Sequence, residues 1–331
     1  MTQRFCPIDK LAPWANSTAK IGAKVAIDNE VDLIWASVPY MANSLLAYEI
    51  YKRTQIPFVI DYRDLLDPED QSDSMKNRRA IEAEILDQAA GITHVAPAQI
   101  ASLRSQHPQI EKKPSRLVYN FFDDTSVVAE STEPSDPPFM IYGGSLYGGH
   151  RRMTGLVEAL AKLKQQDETS LVYEFYGRVH DRKYLSKLAQ ENNCTDAVQV
   201  KEGISQDEFN QRCRKATILV LSVGHGRLHE ETIPGKLYDY FLAGRPILVL
   251  GPDGCAARKL VEETNRGISV ADDDVSAISR AIELLSKGRN SNNEAIDLSP
   301  DAVSGFARGP MVGKLVDFFE EIISNQETRL T

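Results

Sequence analysis

Short apolar runs alternate with segments of helical periodicity along most of this chain, and this alternation limits the fold more than any other feature. Residues 246–250 are apolar throughout, which is typical of a parallel strand buried on both faces. Strands that alternate with helices predict an α/β protein in which helices cover parallel sheets. With 331 residues, the chain has the length of two such domains.

The same patterns predict the individual elements. Strands are expected at residues 31–38, 56–61, 91–95, 116–119, 139–142, 171–176, 198–200, 217–223, 246–250 and 267–270. Helices are expected at residues 18–27, 42–54, 74–90, 97–105, 154–164, 183–192, 236–243, 253–264, 275–287 and 312–324. Ser205 and Glu208 have the spacing of a capping box, which predicts another helix start.

A polar stretch with two prolines, residues 125–137, is the best candidate for an interdomain linker. We therefore expect a first domain at residues 1–130 and a second at residues 137–310. A C-terminal helical segment, residues 311–331, follows the second domain.

Composition argues against several functional classes. A net charge of −9 disfavours a general nucleic-acid binder, which carries a basic face. No apolar run approaches the ~20 residues of a membrane span, and the first residues lack the apolar core of a signal peptide. The cysteines are too scattered for a metal site or a disulfide framework, so reduced cytosolic thiols are expected. They are Cys6, Cys194, Cys213 and Cys255.

The stretch that begins at Glu231 combines a turn, a short helix and charged side chains. Glu231 precedes a turn made by Pro234 and Gly235, and an amphipathic helix is predicted at residues 236–243. Lys236 and the N–H groups at the helix start suit an anion such as phosphate, and carboxylates suit hydroxyl groups. The stretch predicts a site for a phosphate-bearing sugar. The alternative is an ordinary connection whose charges face water.

A glycine-rich loop is the second candidate for phosphate binding. Residues 143–152 (Gly-Gly-Ser-Leu-Tyr-Gly-Gly-His-Arg-Arg) lie between a predicted strand and a predicted helix. Gly143 and Gly144 let the backbone approach an anion at which the helix N-terminus points. Arg151 and Arg152 would add charge-assisted hydrogen bonds to phosphate oxygens. The alternative is a glycine turn with two solvated arginines. His225 and His229 are four residues apart, but their glycine-rich context is a poor helix for a zinc site.

These segments resemble a family of retaining glycosyltransferases, family 4 of the GT-B group, whose two Rossmann-like domains face each other across a cleft. Glu231 and Asp239 resemble its acidic pair E-x7-E, although the second acid here is an aspartate, one methylene shorter. The segments Ile233-Pro-Gly-Lys-Leu-Tyr-Asp-Tyr240 and Ala243-Gly-Arg-Pro-Ile-Leu248 resemble the branch that builds bacterial surface polysaccharides. The resemblance covers roughly residues 27–325.

The resemblance implies a nucleotide-diphosphate sugar as the donor, bound by the second domain. Arg151, Lys236 and the helix start would stabilise the leaving diphosphate, so no metal ion or cofactor is expected. Glu231 would bind sugar hydroxyls. Since no nucleophile for double displacement is apparent, the resemblance implies front-face attack with the leaving phosphate as the base. The donor-binding residues that it implies are Gly143, Gly144, Arg152, Gly177, Arg178, Ile204, Pro234, Gly235 and Asp239. For Ile204, which would line the base, core packing is the alternative.

The first domain resembles the second half of the family's N-terminal domain. Asp61, Arg63 and Asp64 crowd at the end of a predicted strand, the edge where ligands bind in open α/β sheets. The resemblance places them near a glycan or lipid-linked acceptor, and a salt-bridged strand end is the alternative. The C-terminal helix would pack back on this domain. A lipid-linked acceptor would bring this cytoplasmic protein to the inner face of the membrane.

Thirty residues precede the first predicted strand, whereas the relatives carry further βα units there, at ~30 residues per βαβ unit. The resemblance therefore implies a shortened first domain, a gene fragment, or a partner chain that completes the sheet. Two rival functions follow. The chain is a donor-binding protein, inactive or dependent on a partner, or it is a sugar-nucleotide epimerase. Nucleotide binding without transfer favours the first rival, and sugar isomers formed without acceptor favour the second.

Overall fold

A computed structural model of the chain describes residues 12–38, 41–67, 69–123, 134–166 and 170–330. The chain divides into two compact units, one formed by Met1–Tyr119 with Gly309–Thr331 and the other by Asn120–Arg308. The division follows Tyr119, before the expected linker, of which residues 125–133 lie outside the described residues. Both units are α/β with parallel sheets, as the alternation of strands and helices predicts.

The first unit contains a parallel sheet of four strands in the described residues. Its strands are β1 (Ile34–Val38), β2 (Phe58–Tyr62), β3 (Gly91–His94) and β4 (Ser115–Leu117). Its helices include α1 (Ala12–Asp28), α2 (Met41–Thr54), α3 (Asp73–Gln88) and α4 (Pro97–Gln106). The strands lie in chain order, each parallel to the next.

The second unit has six parallel strands in the described residues. The strands are β5 (Phe139–Gly143), β6 (Val172–Tyr176), β7 (Val198–Lys201), β8 (Ile218–Ser222), β9 (Ile247–Leu250) and β10 (Gly267–Val270). The helices are α5 (Thr154–Gln165), α6 (Val179–Glu191), α7 (Gln206–Lys215), α8 (Arg227–Glu230), α9 (Lys236–Ala243), α10 (Ala256–Glu263) and α11 (Val275–Ser286). The strand order is β7-β6-β5-β8-β9-β10, so the first and fourth strands of this unit are neighbours. This is the Rossmann order, with its switch point between β5 and β8.

Local sequence signals explain several element ends. Ser205 Oγ accepts a hydrogen bond from the Glu208 N–H (3.3 Å), and the Glu208 carboxylate accepts one from the Ser205 N–H (3.0 Å). The predicted capping box is therefore confirmed. Gly244 ends α9 in the left-handed conformation, with φ 62°. A side chain other than glycine is strained in this conformation, which explains the end of the helix at this residue.

Several helices differ from the prediction. α1 begins at Ala12 and the last helix at Arg308, six and four residues before their predicted starts at 18 and 312. α6 begins at Val179, four residues before the predicted start at residue 183. The sequence did not predict α8; residues 224–226, whose glycine-rich sequence predicts a poor helix, are not helical, and α8 begins immediately after them. Gly226 has φ 97° and precedes the first helical residue, and its N–H donates to Glu230 Oε1 (3.2 Å). The glycine therefore begins the turn of helix and does not interrupt it.

The last helix, α12 (Arg308–Leu330), packs within the first unit. Phe318 and Ile322 on this helix are buried against Val59 of β2. A Cβ atom on Gly91 would lie 2.8 Å from the Phe318 ring, so glycine is needed where β3 starts beneath the helix. No helix in the described ranges has the length and apolar character needed to cross a bilayer.

Candidate functional site

The two predicted phosphate-binding segments lie at the same edge of the second sheet. The glycine-rich loop follows β5, and the loop that carries α8 follows β8. Because β5 and β8 are neighbouring parallel strands, their carboxyl ends open at the switch point, where α/β proteins bind ligands. A hydrogen bond joins the two loops, from the His225 N–H to the His150 carbonyl oxygen (3.3 Å).

Lys236, the first residue of α9, reaches across to the end of β5. Its ammonium group donates a hydrogen bond to the Gly143 carbonyl oxygen and lies 4.2 Å from the centroid of the Tyr142 ring. A Cβ atom on Gly144 would lie 2.6 Å from Lys236 Nζ, and Gly144 has φ +128°. Both observations explain why glycine occupies this position.

The charge of Lys236 is sensitive to its surroundings. Burial, assisted by the neighbouring positive charge of Arg151, lowers the pKa of Lys236 to about 7. Its contacts are a carbonyl oxygen and an aromatic ring, which do not neutralise a cation as a carboxylate would. An anion bound beside this ammonium group would favour the charged form.

Arg151 is hydrogen-bonded to the same tyrosine. Its Nη1 donates to the Tyr142 hydroxyl (3.2 Å) and to the Ser145 carbonyl oxygen (3.3 Å). Its guanidinium carbon lies 4.5 Å from the centroid of the Tyr147 ring. The structure thus brings Arg151 and Lys236 to one buried side chain, while Arg152 is exposed. Tyr142 was missed by sequence reasoning, because it reads as an apolar strand residue.

Asp181 anchors the glycine-rich loop and was also missed. Its buried carboxylate accepts a hydrogen bond from the Leu146 N–H (3.1 Å). Asp181 lies in the first turn of α6. The sequence pattern predicted the helix to begin only at residue 183, so Asp181 was not considered as a residue at a helix start. Gly177 lies where a Cβ atom would come within 3.1 Å of the Gly144 carbonyl oxygen, so this glycine permits a close approach of two loops.

Glu231 is the C-cap of α8, and its two carboxylate oxygens have different surroundings. Oε1 accepts a hydrogen bond from Arg227 Nε (2.8 Å). Oε2 is buried and has no hydrogen-bond partner among the residues that the structure describes. Pro234 and Gly235 form the turn into α9, where the Leu237 N–H donates to the Pro234 carbonyl oxygen (2.9 Å).

The histidines of these loops form pairs. His225 Nε2 lies 2.7 Å from Oδ2 of the buried Asp272, and the rings of His150 and His229 have centroids 5.4 Å apart. Across the described ranges, no group of three or more His, Cys, Asp or Glu side chains is placed to hold a metal ion. Asp272 follows β10 and carries no sequence signal that would connect it with His225.

The residues predicted to contact the nucleotide base follow the next strands of the sheet. Gly177 and Arg178 follow β6, and Ile204 follows β7. Ile204 is 42% exposed, which disfavours the alternative that it is a core residue. Arg178 is the exposed N-cap of α6, and Asp239 is exposed on α9.

The predicted acceptor residues lie in the first unit, at the end of β2. Asp61 is buried, and its carboxylate accepts hydrogen bonds from Arg63 Nε (2.6 Å) and the Thr93 hydroxyl (2.7 Å). Asp64 is exposed. The ion pair of Asp61 with Arg63 matches the salt-bridged strand end that sequence reasoning left as the alternative.

The fold of the chain is similar to that of several solved glycosyltransferase structures and related enzymes. A glycosyltransferase from Rickettsia africae is similar with a TM-score of 0.74 and 14% identity, over 98% of this chain and 84% of that chain. Sucrose-phosphate synthase from Thermosynechococcus elongatus has a TM-score of 0.68 and 16% identity, over 96% and 80% of the two chains. HepE from Anabaena, in complex with UDP and glucose, has a TM-score of 0.66 and 16% identity, over 96% and 84%. At these identities the likeness concerns the fold, that of two Rossmann-like units.

Comparisons of sequence identify the family of the chain. No curated protein sequence matches the chain significantly. The family model described as "Glycosyl transferases group 1" matches residues 123–299, which include the glycine-rich loop, α8 and α9. This match extends over more than half of the 331 residues. The chain therefore belongs to the glycosyl transferases group 1 family and is a glycosyltransferase.

Proposed function

We propose that the chain transfers a sugar from a nucleotide-diphosphate sugar to a glycan or lipid-linked acceptor, with retention of anomeric configuration. The observation that carries this proposal is the convergence of Arg151 and Lys236 on Tyr142 at the switch point. Two cations beside a glycine-rich loop suit a diphosphate. The presence of UDP and glucose in the HepE complex supports a donor of this class.

The protein's own cations would stabilise the leaving group. As the bond between the anomeric carbon and the phosphate oxygen breaks, negative charge develops on the diphosphate. Arg151, protonated Lys236 and the positive end of α9 would stabilise this charge, so the proposal includes no metal ion or cofactor. Glu231 would accept hydrogen bonds from sugar hydroxyls, and Asp239 would accept them from the ribose.

The acceptor oxygen would attack the anomeric carbon on the face that the diphosphate leaves. The new glycosidic bond forms there, and the acceptor's hydroxyl proton passes to the departing phosphate oxygen. This route accounts for retention without a protein nucleophile. Arg63 and Asp64 are the proposed contacts to the acceptor, and the buried Asp61 would hold the Arg63 guanidinium in place. We place the reaction in the cytoplasm, at the inner face of the membrane, in the synthesis of a bacterial surface polysaccharide.

A thermal-shift screen against UDP-, GDP- and TDP-sugars tests the donor assignment. A ligand that binds the folded protein raises its melting temperature, so one nucleotide class should raise it more than the others. Arg151→Ala should weaken binding of that donor about tenfold or more, because charge-assisted hydrogen bonds are lost. Arg280→Ala, which removes an exposed arginine on α11, is the matched control and should bind like the wild type.

Transfer to candidate acceptors is then monitored by NMR, which determines the anomeric configuration of the product. Glu231→Gln should reduce transfer. The proposal fails if no nucleotide sugar raises the melting temperature, or if Arg151→Ala and Glu231→Gln leave binding and transfer unchanged. An inverted product would refute retention alone.

A further inference from the structure

We propose that the first unit carries a further binding site, for a neutral oligosaccharide, at the edge of its sheet opposite the proposed acceptor contacts. The site is a groove with a volume of about 830 Å³, which is within the range of ligand-binding pockets. We name it the amide groove, because five carboxamide side chains line it: Gln55, Gln88, Gln109, Asn325 and Gln326. The proposal requires no nucleotide sugar, so it is independent of the proposed function.

The amide groove lies at the amino ends of the strands. Pro57, Ala90 and Pro114 line it, and they immediately precede β2, β3 and β4. Arg63 and Asp64 follow the other end of β2, whose five residues span roughly 17 Å at about 3.3 Å per residue. A ligand in the amide groove therefore lies well away from the proposed acceptor contacts.

Hydrogen bonds hold the walls of the amide groove in place. The Ala90 N–H donates to the Phe58 carbonyl oxygen (2.8 Å), which ties the segment after α3 to β2. The ammonium group of Lys113 donates to the carbonyl oxygens of Asp87 (3.0 Å) and Ala89, at the C-terminal end of α3. A groove whose walls are already ordered loses little conformational entropy when it binds a ligand.

The amide groove combines groups that suit the two kinds of surface on a sugar. The side chains of Gln109 and Asn325 are exposed and make no hydrogen bond to any residue that the structure describes. A carboxamide both donates and accepts hydrogen bonds, as a sugar hydroxyl does, so the two groups pair in either direction. The apolar lining residues, which are buried or half-buried, suit the C–H faces of sugar rings: Pro57, Ala89, Ala90, Pro114 and Ile322.

The charges of the lining favour a neutral ligand over an anionic one. The charged lining residues are Lys112, Lys113 and Asp87. The ammonium group of Lys113 is already bound to two carbonyl oxygens, and the Asp87 carboxylate would repel an anion that approached Lys112. The amide groove therefore lacks the converging cations of the proposed diphosphate site, and a neutral oligosaccharide fits it better.

An array of neutral and acidic oligosaccharides from bacterial surface polysaccharides tests the proposal, and calorimetry then measures the dissociation constant of the strongest ligand. A neutral oligosaccharide should bind to the wild-type chain in the absence of any nucleotide. Gln109→Ala/Asn325→Ala should weaken this binding about tenfold or more, the effect of two lost hydrogen bonds. Since neither side chain has a hydrogen-bond partner in the described part of the chain, the melting temperature of this variant should stay close to that of the wild type.

The matched control is Asn16→Ala/Gln211→Ala, which removes two exposed amides on α1 and α7, outside the amide groove. It should bind the oligosaccharide like the wild type. Lys112→Gln should also preserve the affinity, because the proposed ligand carries no charge for the ammonium group to attract.

Three results would overturn the proposal. No neutral oligosaccharide of the array binds, Gln109→Ala/Asn325→Ala binds as tightly as the wild type, or Lys112→Gln abolishes binding. The last result would make the amide groove a site for an anionic ligand. Failure of the proposed function has a different signature, since no nucleotide sugar would then bind to the wild-type protein, whether or not an oligosaccharide does.

Discussion

The ammonium group of Lys236 lies over the ring of Tyr142, 4.2 Å from its centroid. The same group donates a hydrogen bond to the Gly143 carbonyl oxygen. Burial, together with the positive charge of Arg151, lowers the pKa of Lys236 to about 7. The free protein therefore loses a positive charge from the proposed diphosphate site as the pH rises through neutrality.

Donor affinity should fall with rising pH. A bound diphosphate raises the pKa of Lys236 above 7, because it favours the charged form. Below pH 7 the free protein already carries the proton, so affinity is at its highest. Above pH 7 binding must take up a proton, so the affinity for a nucleotide sugar should fall by up to about tenfold per pH unit until the raised pKa is reached.

Calorimetry from pH 6 to pH 9 measures this dependence, and buffers of different ionisation enthalpy count the protons taken up. A nucleotide sugar is used because its diphosphate does not titrate in this range. Lys236→Met should bind weakly and with little pH dependence. A wild-type affinity that is constant from pH 6 to pH 9 would contradict the prediction.

Gly144→Ala should destabilise the protein and weaken donor binding. At φ +128° an alanine is strained by about 1–3 kcal/mol, and its Cβ would lie 2.6 Å from Lys236 Nζ, displacing the ammonium group. Gly313→Ala is the control, because Gly313 is exposed within α12 and no atom lies within 4 Å of the added Cβ. Alanine favours a helix over glycine, so this change should raise the free energy of unfolding by about 0.5–1 kcal/mol. Thermal unfolding and donor titration measure both. Equal effects of the two changes would contradict this account.

Asp181→Ala should loosen the glycine-rich loop. The Leu146 N–H would lose its acceptor in a buried position, which destabilises by about 1–3 kcal/mol. Donor affinity should fall with it, because Arg151 is carried by the same loop. Asp181→Asn retains a side-chain oxygen and should preserve most of the stability and affinity. The prediction fails if the alanine and asparagine variants are equally affected in denaturation and donor titration.

Glu82→Ala should strongly destabilise the first unit. Glu82 is buried and accepts hydrogen bonds from the Tyr62 hydroxyl (2.8 Å), and its other oxygen lies 2.8 Å from His107 Nε2. Removing the carboxylate leaves the buried Tyr62 hydroxyl and His107 ring without their shared partner. The free energy of unfolding should fall by about 3–5 kcal/mol. Asp28→Ala breaks the exposed pair with Lys24 and should change stability by under about 1 kcal/mol.

Urea unfolding monitored by tryptophan fluorescence measures the stability of the first unit. The chain has two tryptophans, Trp14 and Trp35, and both belong to the first unit. For Glu82→Ala, tryptophan fluorescence should therefore show an early transition of the first unit. Circular dichroism, which reports on both units, should show the same early transition and a later phase from the second unit. A midpoint like that of Asp28→Ala would be inconsistent with a buried network.

Much of the fold was readable from short-range patterns. The predicted strands overlap the observed ones, because apolar runs between turn residues are local signals. Helix starts were less readable. α6 begins earlier than predicted, and α8, in which the Gly226 N–H donates to the Glu230 carboxylate, was missed. The order of the strands in each sheet cannot be read from any single segment.

By itself, the sequence determined an α/β protein of two units and supplied two segments with the chemistry of a sugar-phosphate site, because periodicity and residue type are local properties. Only the tertiary structure decided that the strands before these segments, β5 and β8, are neighbours, and so brought Arg151 and Lys236 to the same tyrosine. It also decided the lowered pKa of Lys236 and the unequal oxygens of Glu231. Burial and the approach of charges from distant parts of the chain set these properties, and neither is encoded at a single position.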